Sequence, residues 1–273
     1  MHENPCLVMG ILNVTPDSFS DGGRWGEVDA AIARGLELRD EGADIVDVGG
    51  ESTRPGAERV SPEEERSRIR PVVAALAAEG VVVSVDTMRA ETAATAIEVG
   101  ATIVNDVSGG LADPAMAPLV ADASVDYVAM HWRAHSVEMD GHDTYKDVVA
   151  EVRDELEVRI AALVGAGVDA ERIILDPGLG FSKVGANNWP LLAHLDALQG
   201  LGHRVLVGAS RKRFLGAVIR DDDGPLSREH ATTAVNTLAA HHGAWALRVH
   251  DARAAADAIR TVAAWHRALE EEG

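Results

Sequence analysis

Short apolar runs that recur along the whole chain constrain its fold more than any other feature. They are rich in Val and Ile, and their hydrophobicity is continuous rather than alternating, as in parallel strands covered on both faces. The eight runs are Leu7 to Val14, Asp44 to Val48, Val81 to Val85, Thr102 to Val104, Asp126 to Met130, Arg172 to Leu175, His203 to Val207 and Ala244 to Val249. The sequence therefore predicts eight buried parallel strands.

Segments with helical patterns fill the intervals between these runs. One opens with Ser61-Pro62-Glu63-Glu64, a capping box with proline at the first helical position. The others are Glu27 to Glu41, Arg89 to Val99, a short helix opened by Asp113-Pro114, Asp143 to Val164, Trp189 to Leu198, Arg228 to His242 and Arg253 to Glu270. Eight strand–helix alternations predict an α/β fold, a single (β/α)8 TIM barrel domain over residues 1–273.

A doubly wound open sheet is the alternative, because strand order is invisible in a sequence. No G-x-G-x-x-G follows the first strand, which argues against a dinucleotide-binding sheet of that kind. No linker or low-complexity stretch divides the chain. The barrel is therefore the favoured fold.

Composition narrows the class of partner. Lys and Arg number 25 and Asp and Glu 44, a formal charge of −19, so we expect no nucleic-acid partner. The single cysteine, Cys6, excludes an internal disulfide framework and a Cys-based metal site. With no long apolar span and no secretory pattern at the N-terminus, we expect a soluble cytoplasmic protein that acts on small molecules.

Polar residues stand where the predicted strands end. In a TIM barrel the chemistry gathers at these C-terminal ends. One such residue alone often faces solvent or caps the next helix, but the whole set indicates a polar ligand. The set is Asn13, Asp86, Asn105, Asp106, His131, Asp176, Lys212, Arg248 and His250.

The set contains two kinds of side chain, which suit two different parts of a ligand. Donors and positive charge suit an anionic leaving group such as diphosphate, which Mg²⁺ with few protein ligands would help to neutralise. Carboxylates and an amide suit the N–H edge of an amidine-like heterocycle. The first group is Asn13, Lys212, Arg248 and His250, and the second is Asp86, Asn105 and Asp176. Glycine-rich loops after the first two strands, at residues 15–23 and 49–56, have the character of lids.

Seven segments resemble the signature blocks of the dihydropteroate synthase family. They are spread from residue 9 to residue 251, nearly the whole length of the chain, and several are nine residues or longer. The segments are MGILNVTPDSFSDGG, VDVGGESTRPGA, SVDT, NDVSGG, DPGLGF, GASRKRFLG and RVHD. The resemblance implies a TIM barrel that binds pterins, requires Mg²⁺ and forms a homodimer.

The resemblance also implies a role for each matched residue. Asp86, Asn105, Met130, Asp176 and Lys212 would bind the pterin. Asn13, Thr53, Arg248 and His250 would bind the diphosphate, with Asn13 also holding the metal. Ser18, Phe19, Arg54, Pro55, Phe181, Gly208 and Arg211 would surround 4-aminobenzoate. Asp21, Lys212, Arg248 and His250 would be the catalytic residues.

The implied reaction joins a dihydropterin diphosphate to 4-aminobenzoate by SN1-like loss of diphosphate. Asp21 and Asp176 would balance the pterin methylene cation, and closure of the first loop would exclude water. Because Phe19 and the Arg54-Pro55 pair match the family pattern, we also expect sensitivity to sulfonamides.

Three alternatives stay open at this level. Lys212 could be the Schiff-base lysine of a barrel aldolase. Methyltetrahydrofolate-binding methyltransferases recognise pterins with similar Asp and Asn residues, but they lack the RVH and SRK blocks found here. A pterin-binding paralogue without turnover is the third. Outside the motifs, we expect a structural or pocket-lining role for His131 and a solvated loop position for Lys183.

Overall fold

A computed structural model describes most of the chain. The described residues are 6–15, 23–51, 60–133, 143–183 and 185–271. Ser18, Phe19, Asp21, Thr53, Arg54 and Pro55, all predicted site residues, lie outside these ranges.

Eight parallel strands form a closed barrel in chain order. Each strand pairs with the next, and the last pairs with the first, with Leu7 opposite Ala246 and Gly10 opposite Val249. The strands are β1 (Leu7–Asn13), β2 (Ile45–Gly49), β3 (Val82–Asp86), β4 (Ile103–Asp106), β5 (Asp126–Met130), β6 (Ile173–Asp176), β7 (Arg204–Val207) and β8 (Ala246–Val249). The TIM-barrel prediction is confirmed, and closure between β1 and β8 excludes the open sheet.

Helices surround the barrel. They are α1 (Gly23–Asp40), α2 (Pro62–Ala78), α3 (Ala90–Glu98), α4 (Met116–Ala123), α5 (Val148–Gly165), α6 (Asn188–Ala193), α7 (Leu195–Gln199), α8 (Arg213–Gly216), α9 (Glu229–His241) and α10 (Ala252–Glu271). The Ser61 side chain accepts from the Glu64 amide, as the capping box predicts, and α2 continues through Pro71. The predicted helix from Trp189 to Leu198 is instead two short helices that meet at His194. None of the helices described is both long and apolar enough to cross a bilayer.

An apolar layer fills the lower part of the barrel. Because side chains alternate between the two faces of a strand, every second residue points inward. The inward cluster consists of Met9, Ile45, Ile103, Val128, Ile174, Leu206 and Ala246, with Leu7 and Trp245 packed against it. This cluster, which we call the floor, closes the barrel beneath its C-terminal mouth.

On five strands, the next inward position beyond a floor residue is polar or glycine, and on β5 it is Met130. Two residues beyond the floor, the side chain points inward again and stands one pleat nearer the mouth. The step leads from Ile45 to Asp47, from Ile103 to Asn105, from Val128 to Met130, from Ile174 to Asp176, from Leu206 to Gly208 and from Ala246 to Arg248. The predicted site residues are therefore carried to one place by strand periodicity.

Asp106 follows Asn105 and has the opposite orientation. Its carboxylate accepts from Ser108 N and Oγ, both at 2.7 Å, from Gly110 N at 2.9 Å and from Tyr127 Oη at 2.8 Å. These bonds hold the turn after β4 on the helix side of the sheet. Asp106 is thus a structural residue.

Candidate active site

The described site residues meet at the C-terminal mouth of the barrel. Gly208 shows how close they are, because a Cβ built on it would lie 3.7 Å from Asp176 Oδ2, 3.8 Å from Arg248 Cβ and 3.9 Å from Lys212 Nζ. Glycine at this position keeps that space open. Asp176 and Lys212 therefore border the same space beside Gly208.

Arg248 links two carboxylates across the mouth. Its Nε donates to Asp47 Oδ2 at 2.6 Å, and its Nη2 donates to Asp86 Oδ2 at 2.6 Å. Asn105 Nδ2 donates to the same Asp47 oxygen at 2.9 Å. Although burial by itself lowers the pKa of Arg248, Asp47 and Asp86 raise it, so the guanidinium stays charged.

Acceptor atoms at the mouth lack donors. Within the described part of the chain, Asp47 Oδ1, Asp86 Oδ1 and Ser84 Oγ are buried and have no hydrogen-bond partner. Buried polar groups are nearly always paired, and an unpaired one costs about 1–3 kcal/mol. The arrangement therefore fits a ligand that brings N–H donors to the barrel interior.

The pKa of the Asp86 carboxyl lies close to neutral pH. Burial raises the pKa of this carboxyl to about 7, with Arg248 opposing the rise and Asp47, Glu65 and Asp106 adding to it. The group therefore gains and loses its charge close to neutral pH.

Asp176 and Lys212 form the other side of the mouth. Asp176 Oδ1 accepts from Gly178 N at 2.7 Å. Lys212 Nζ donates to Leu179 O and lies 4.7 Å from the centre of the Phe181 ring. Burial lowers the pKa of Lys212 to about 8, with Asp176 opposing that effect and Arg248 adding to it. A carboxylate, an ammonium and an aromatic face are thus adjacent.

His250 follows β8 and is held by Ser210. Its Nδ1 lies 2.9 Å from Ser210 Oγ, which also accepts from the His250 amide at 3.3 Å. The two contacts with the Ser210 hydroxyl, one from the backbone amide and one at Nδ1, fix the orientation of the imidazole ring. Ser210 thus orients the second cationic candidate of the RVH block.

Met130, Arg211 and Asn13 complete the described set. Met130 is buried at the end of β5, opposite Asp176. The Arg211 guanidinium is paired with Glu229, and its backbone has φ of +59°. Asn13 ends β1 on the inward side of the strand and is partly buried.

The metal prediction depends on Asn13 alone among the described residues. Its amide oxygen is a neutral ligand of the kind that Mg²⁺ uses beside phosphate oxygens and water, so the residue fits the ion. The residues that the structure describes contain no group of three or more His, Cys, Asp or Glu that could hold a metal.

Sequence reasoning missed two residues and misplaced one. Asp47 interrupts the apolar run Ile45 to Val48, a signal that could have found it. Ser210 lies inside the GASRK segment, but nothing in its spacing indicates the contact with His250. The prediction for Lys183 was wrong, because its side chain is buried and only 2% exposed. His131 has the structural role expected, between Lys183 and Glu155.

The comparisons with known proteins agree with this chemistry. A sequence model of the family described as pterin binding enzyme matches residues 9–250. The barrel and its acceptor-rich mouth thus define a pterin-binding enzyme.

Similarity to individual proteins identifies the family more closely. The chain is 56% identical over 266 residues to the dihydropteroate synthase of Mycobacterium leprae, covering 96% of this chain and 94% of that protein. The Xanthomonas albilineans dihydropteroate synthase, solved with 4-aminobenzoic acid, is 46% identical with a TM-score of 0.90, covering 97% of this chain and 94% of that one. The Yersinia pestis dihydropteroate synthase, solved as a sulfonamide drug complex, is 37% identical with a TM-score of 0.90, covering 96% and 95%. This chain belongs to the dihydropteroate synthase family.

Family membership decides between the alternative barrel enzymes. The chain is a transferase of folate synthesis, which excludes the aldolase and the methyltransferase as its class. The lowered pKa of Lys212 therefore follows from its burial in a binding site rather than from Schiff-base chemistry.

Replacing Asp47 tests its place in the site. In Asp47→Asn the charge that orients Asn105 and Arg248 is lost, so we expect the dissociation constant for a pterin to rise by about tenfold to hundredfold, the range for a lost hydrogen bond to a charged group. Calorimetric titration of 6-hydroxymethyl-7,8-dihydropterin measures this. Asp126→Asn is the matched control, because Asp126 pairs with Arg204 at the opposite end of the barrel. A folded Asp47→Asn variant with wild-type affinity would contradict the assignment.

The raised pKa of Asp86 predicts that pterin binding depends on pH. Because its pKa is raised to about 7, the carboxyl is protonated below that pH and charged above it. N–H donors bind the charged form better, so affinity should rise as pH increases through 7. Titrations on either side of pH 7 measure it, with Asp86→Asn as the variant that should bind weakly and lose this step. An identical pH profile for the wild type and Asp86→Asn would contradict the prediction.

Proposed function

We propose that the barrel mouth is the place where the chain condenses (7,8-dihydropterin-6-yl)methyl diphosphate with 4-aminobenzoate, giving 7,8-dihydropteroate and diphosphate in folate biosynthesis. The observation that carries this placement is the pair of unsatisfied oxygens on Asp47 and Asp86 beside the cationic groups of Lys212 and Arg248. Acceptors for a flat N–H edge and cations for an anionic tail belong to one substrate.

The pterin would bind over the floor. Its amidine-like edge would donate to Asp86 and Asp176, with Asn105 supplying an amide and Lys212 a donor for ring acceptors. Met130 would line the apolar side of the same pocket. The unsatisfied Asp86 Oδ1 supports this pose, since it leaves an acceptor available while Oδ2 is engaged by Arg248.

The diphosphate would bind at the other side of the mouth. Arg248 and His250 would bind its oxygens, with Thr53 and Asn13 beside them. Because two carboxylates already engage the Nε hydrogen and one Nη2 hydrogen of Arg248, a phosphate must use Nη1, use the second Nη2 hydrogen or displace one of the carboxylates. Asn13 would hold Mg²⁺, which when bound neutralises charge on the leaving group.

Catalysis would consist of stabilising two opposite charges. The C–O bond to the diphosphate breaks with both electrons remaining on the phosphate oxygen. The aniline nitrogen then forms the new C–N bond with its lone pair, and its surplus proton passes to water or to the departing diphosphate. Arg248 and His250 would stabilise the anion, and Asp176 with Asp21 the cation.

The second substrate would lie beside Lys212. Phe181, whose ring already contacts the Lys212 ammonium, offers an apolar face to the aminobenzoate ring. Gly208 leaves room next to it, and Arg211 would pair with the carboxylate in exchange for Glu229. Ser18, Phe19, Arg54 and Pro55 would complete this subsite.

We also propose a homodimer, which the α9 and α10 surface supports. Leu238, Trp265 and Leu269 are 59%, 64% and 58% exposed. The two helices pack together, with His266 Nε2 2.9 Å from His241 Nδ1. An apolar surface of this kind fits a second copy of the chain. A cytoplasmic location is proposed on the sequence pattern described above.

A turnover assay tests the function. We expect diphosphate and 7,8-dihydropteroate to appear in equal amounts, only when both substrates and Mg²⁺ are present. Lys212→Ala should lower kcat/KM by about hundredfold or more, as expected when a buried charged contact to the substrate is lost. Chromatographic separation of the products measures both quantities.

A sulfonamide provides the matching control for the second subsite. It should raise the apparent KM for 4-aminobenzoate and leave the apparent kcat unchanged. Diphosphate release without incorporation of the aniline, or no turnover by folded protein, would contradict the proposed function.

A further inference from the structure

Lys183 is a buried ammonium that the reaction described above does not use. Its ammonium lies behind the segment from Pro177 to Ser182 that follows β6, and its side chain is 2% exposed. Nζ contacts His131 Nδ1 at 2.9 Å, Phe181 O at 3.0 Å and Gly178 O at 3.2 Å. The side chain thus ties the segment to β5 from behind.

The hydrogen-bond count at Nζ matches a charged lysine. An ammonium has three donors, and here it meets three acceptors, two of them carbonyls. His131 Nε2 lies 2.9 Å from Glu155 Oε2, so Nε2 carries the hydrogen and Nδ1 accepts. Burial and the Lys183 charge lower the pKa of His131 to about 4, which keeps the ring neutral. The contacts run from the segment through His131 to a carboxylate at the surface.

The opposite side of the same segment forms half of the binding site. The amide of Gly178 binds Asp176, the carbonyl of Leu179 binds Lys212, and the ring of Phe181 lies beneath Lys212. Gly178 has φ of +68°, and a Cβ there would lie 2.4 Å from His131 O. The backbone is therefore pressed closely between the site and the Lys183–His131 pair.

A buried ammonium such as that of Lys183 lowers the stability of the fold, so a purely stabilising role does not explain it. Removing an ammonium from water disfavours its charged form, and burial lowers the pKa of Lys183 to about 7. An apolar side chain would fill the space behind the segment without that cost. It would remove the Lys183 donor from the Phe181 carbonyl and one of two donors from the Gly178 carbonyl, which also accepts from the Phe181 amide at 3.0 Å, and so free the segment to shift.

We propose that Lys183 is a positioning residue for both substrates, acting through the Gly178 and Phe181 carbonyls to place Asp176 against the pterin and Phe181 against the aminobenzoate. The proposal rests on the function proposed above. Arg248 on β8 and His250, which follows β8, would bind the diphosphate, so diphosphate binding should be independent of Lys183.

That independence provides the test. In Lys183→Met we expect the dissociation constant for the pterin diphosphate and the KM for 4-aminobenzoate each to rise by about tenfold or more, since small misplacements of binding groups have effects of this order. The dissociation constant for inorganic diphosphate with Mg²⁺ should stay within about twofold of the wild type, whereas kcat should fall as well, because Asp176 also stabilises the cation in the proposed reaction. Calorimetry gives the dissociation constants and initial rates give KM and kcat.

Two sets of variants control the result. Lys146→Met makes the same change at an exposed lysine and should behave as wild type. His131→Leu removes one acceptor of Nζ and should shift the same two constants in the same direction, whereas His131→Asn, whose amide oxygen can replace Nδ1, should restore them. If Lys183→Met does not fold, the comparison of His131→Leu with His131→Asn tests the positioning role instead.

A purely structural role would give a different pattern. Lys183→Met would then unfold at a lower temperature and, while folded, keep wild-type constants for both substrates, and His131→Leu would do the same. That outcome overturns the proposal. If the wild type binds the pterin diphosphate without turnover, the proposed function fails, but the ratio of dissociation constants still decides the positioning role. If the wild type does not bind it, both fall.

Discussion

The inner wall of the barrel changes from apolar to charged within a single pleat, and the site depends on that change. Two residues of strand rise only about 7 Å, so the floor and the polar layer above it are in direct contact. The floor excludes water from below, and Asp47, Asp86 and Asp176 are buried as a result. Burial makes these carboxylates strong acceptors for a ligand and expensive to leave without one.

Arg248 offsets most of the free-energy cost of burying these carboxylates. Its guanidinium bridges Asp47 and Asp86, which stand on neighbouring strands, and so compensates two buried charges with one. Among the residues that the structure describes, Asp47 Oδ1 and Asp86 Oδ1 still have no donor. We infer that the pterin completes the pairing that Arg248 begins, so that ligand binding relieves an electrostatic cost built into the fold.

Much of the fold and part of the site could be predicted from the sequence, for a physical reason. Strands buried on both faces are apolar throughout, so their bounds show within one or two residues, and the polar residue at each end marks the mouth. Strand order and closure depend on pairing between β1 and β8, which no local pattern records. Asp47 was missed because it lies within a strand rather than at its end. Lys183 was misplaced because its burial results from packing against His131, which is 52 residues away in the chain.

The most direct test of the account is a crystal structure of the complex with a pterin substrate analogue. The account predicts that the heterocycle lies on the floor with its N–H edge donating to the Asp86 and Asp176 carboxylates, while Lys212 borders the same ring. A heterocycle bound outside the barrel mouth, or one whose N–H edge meets neither carboxylate, would contradict it.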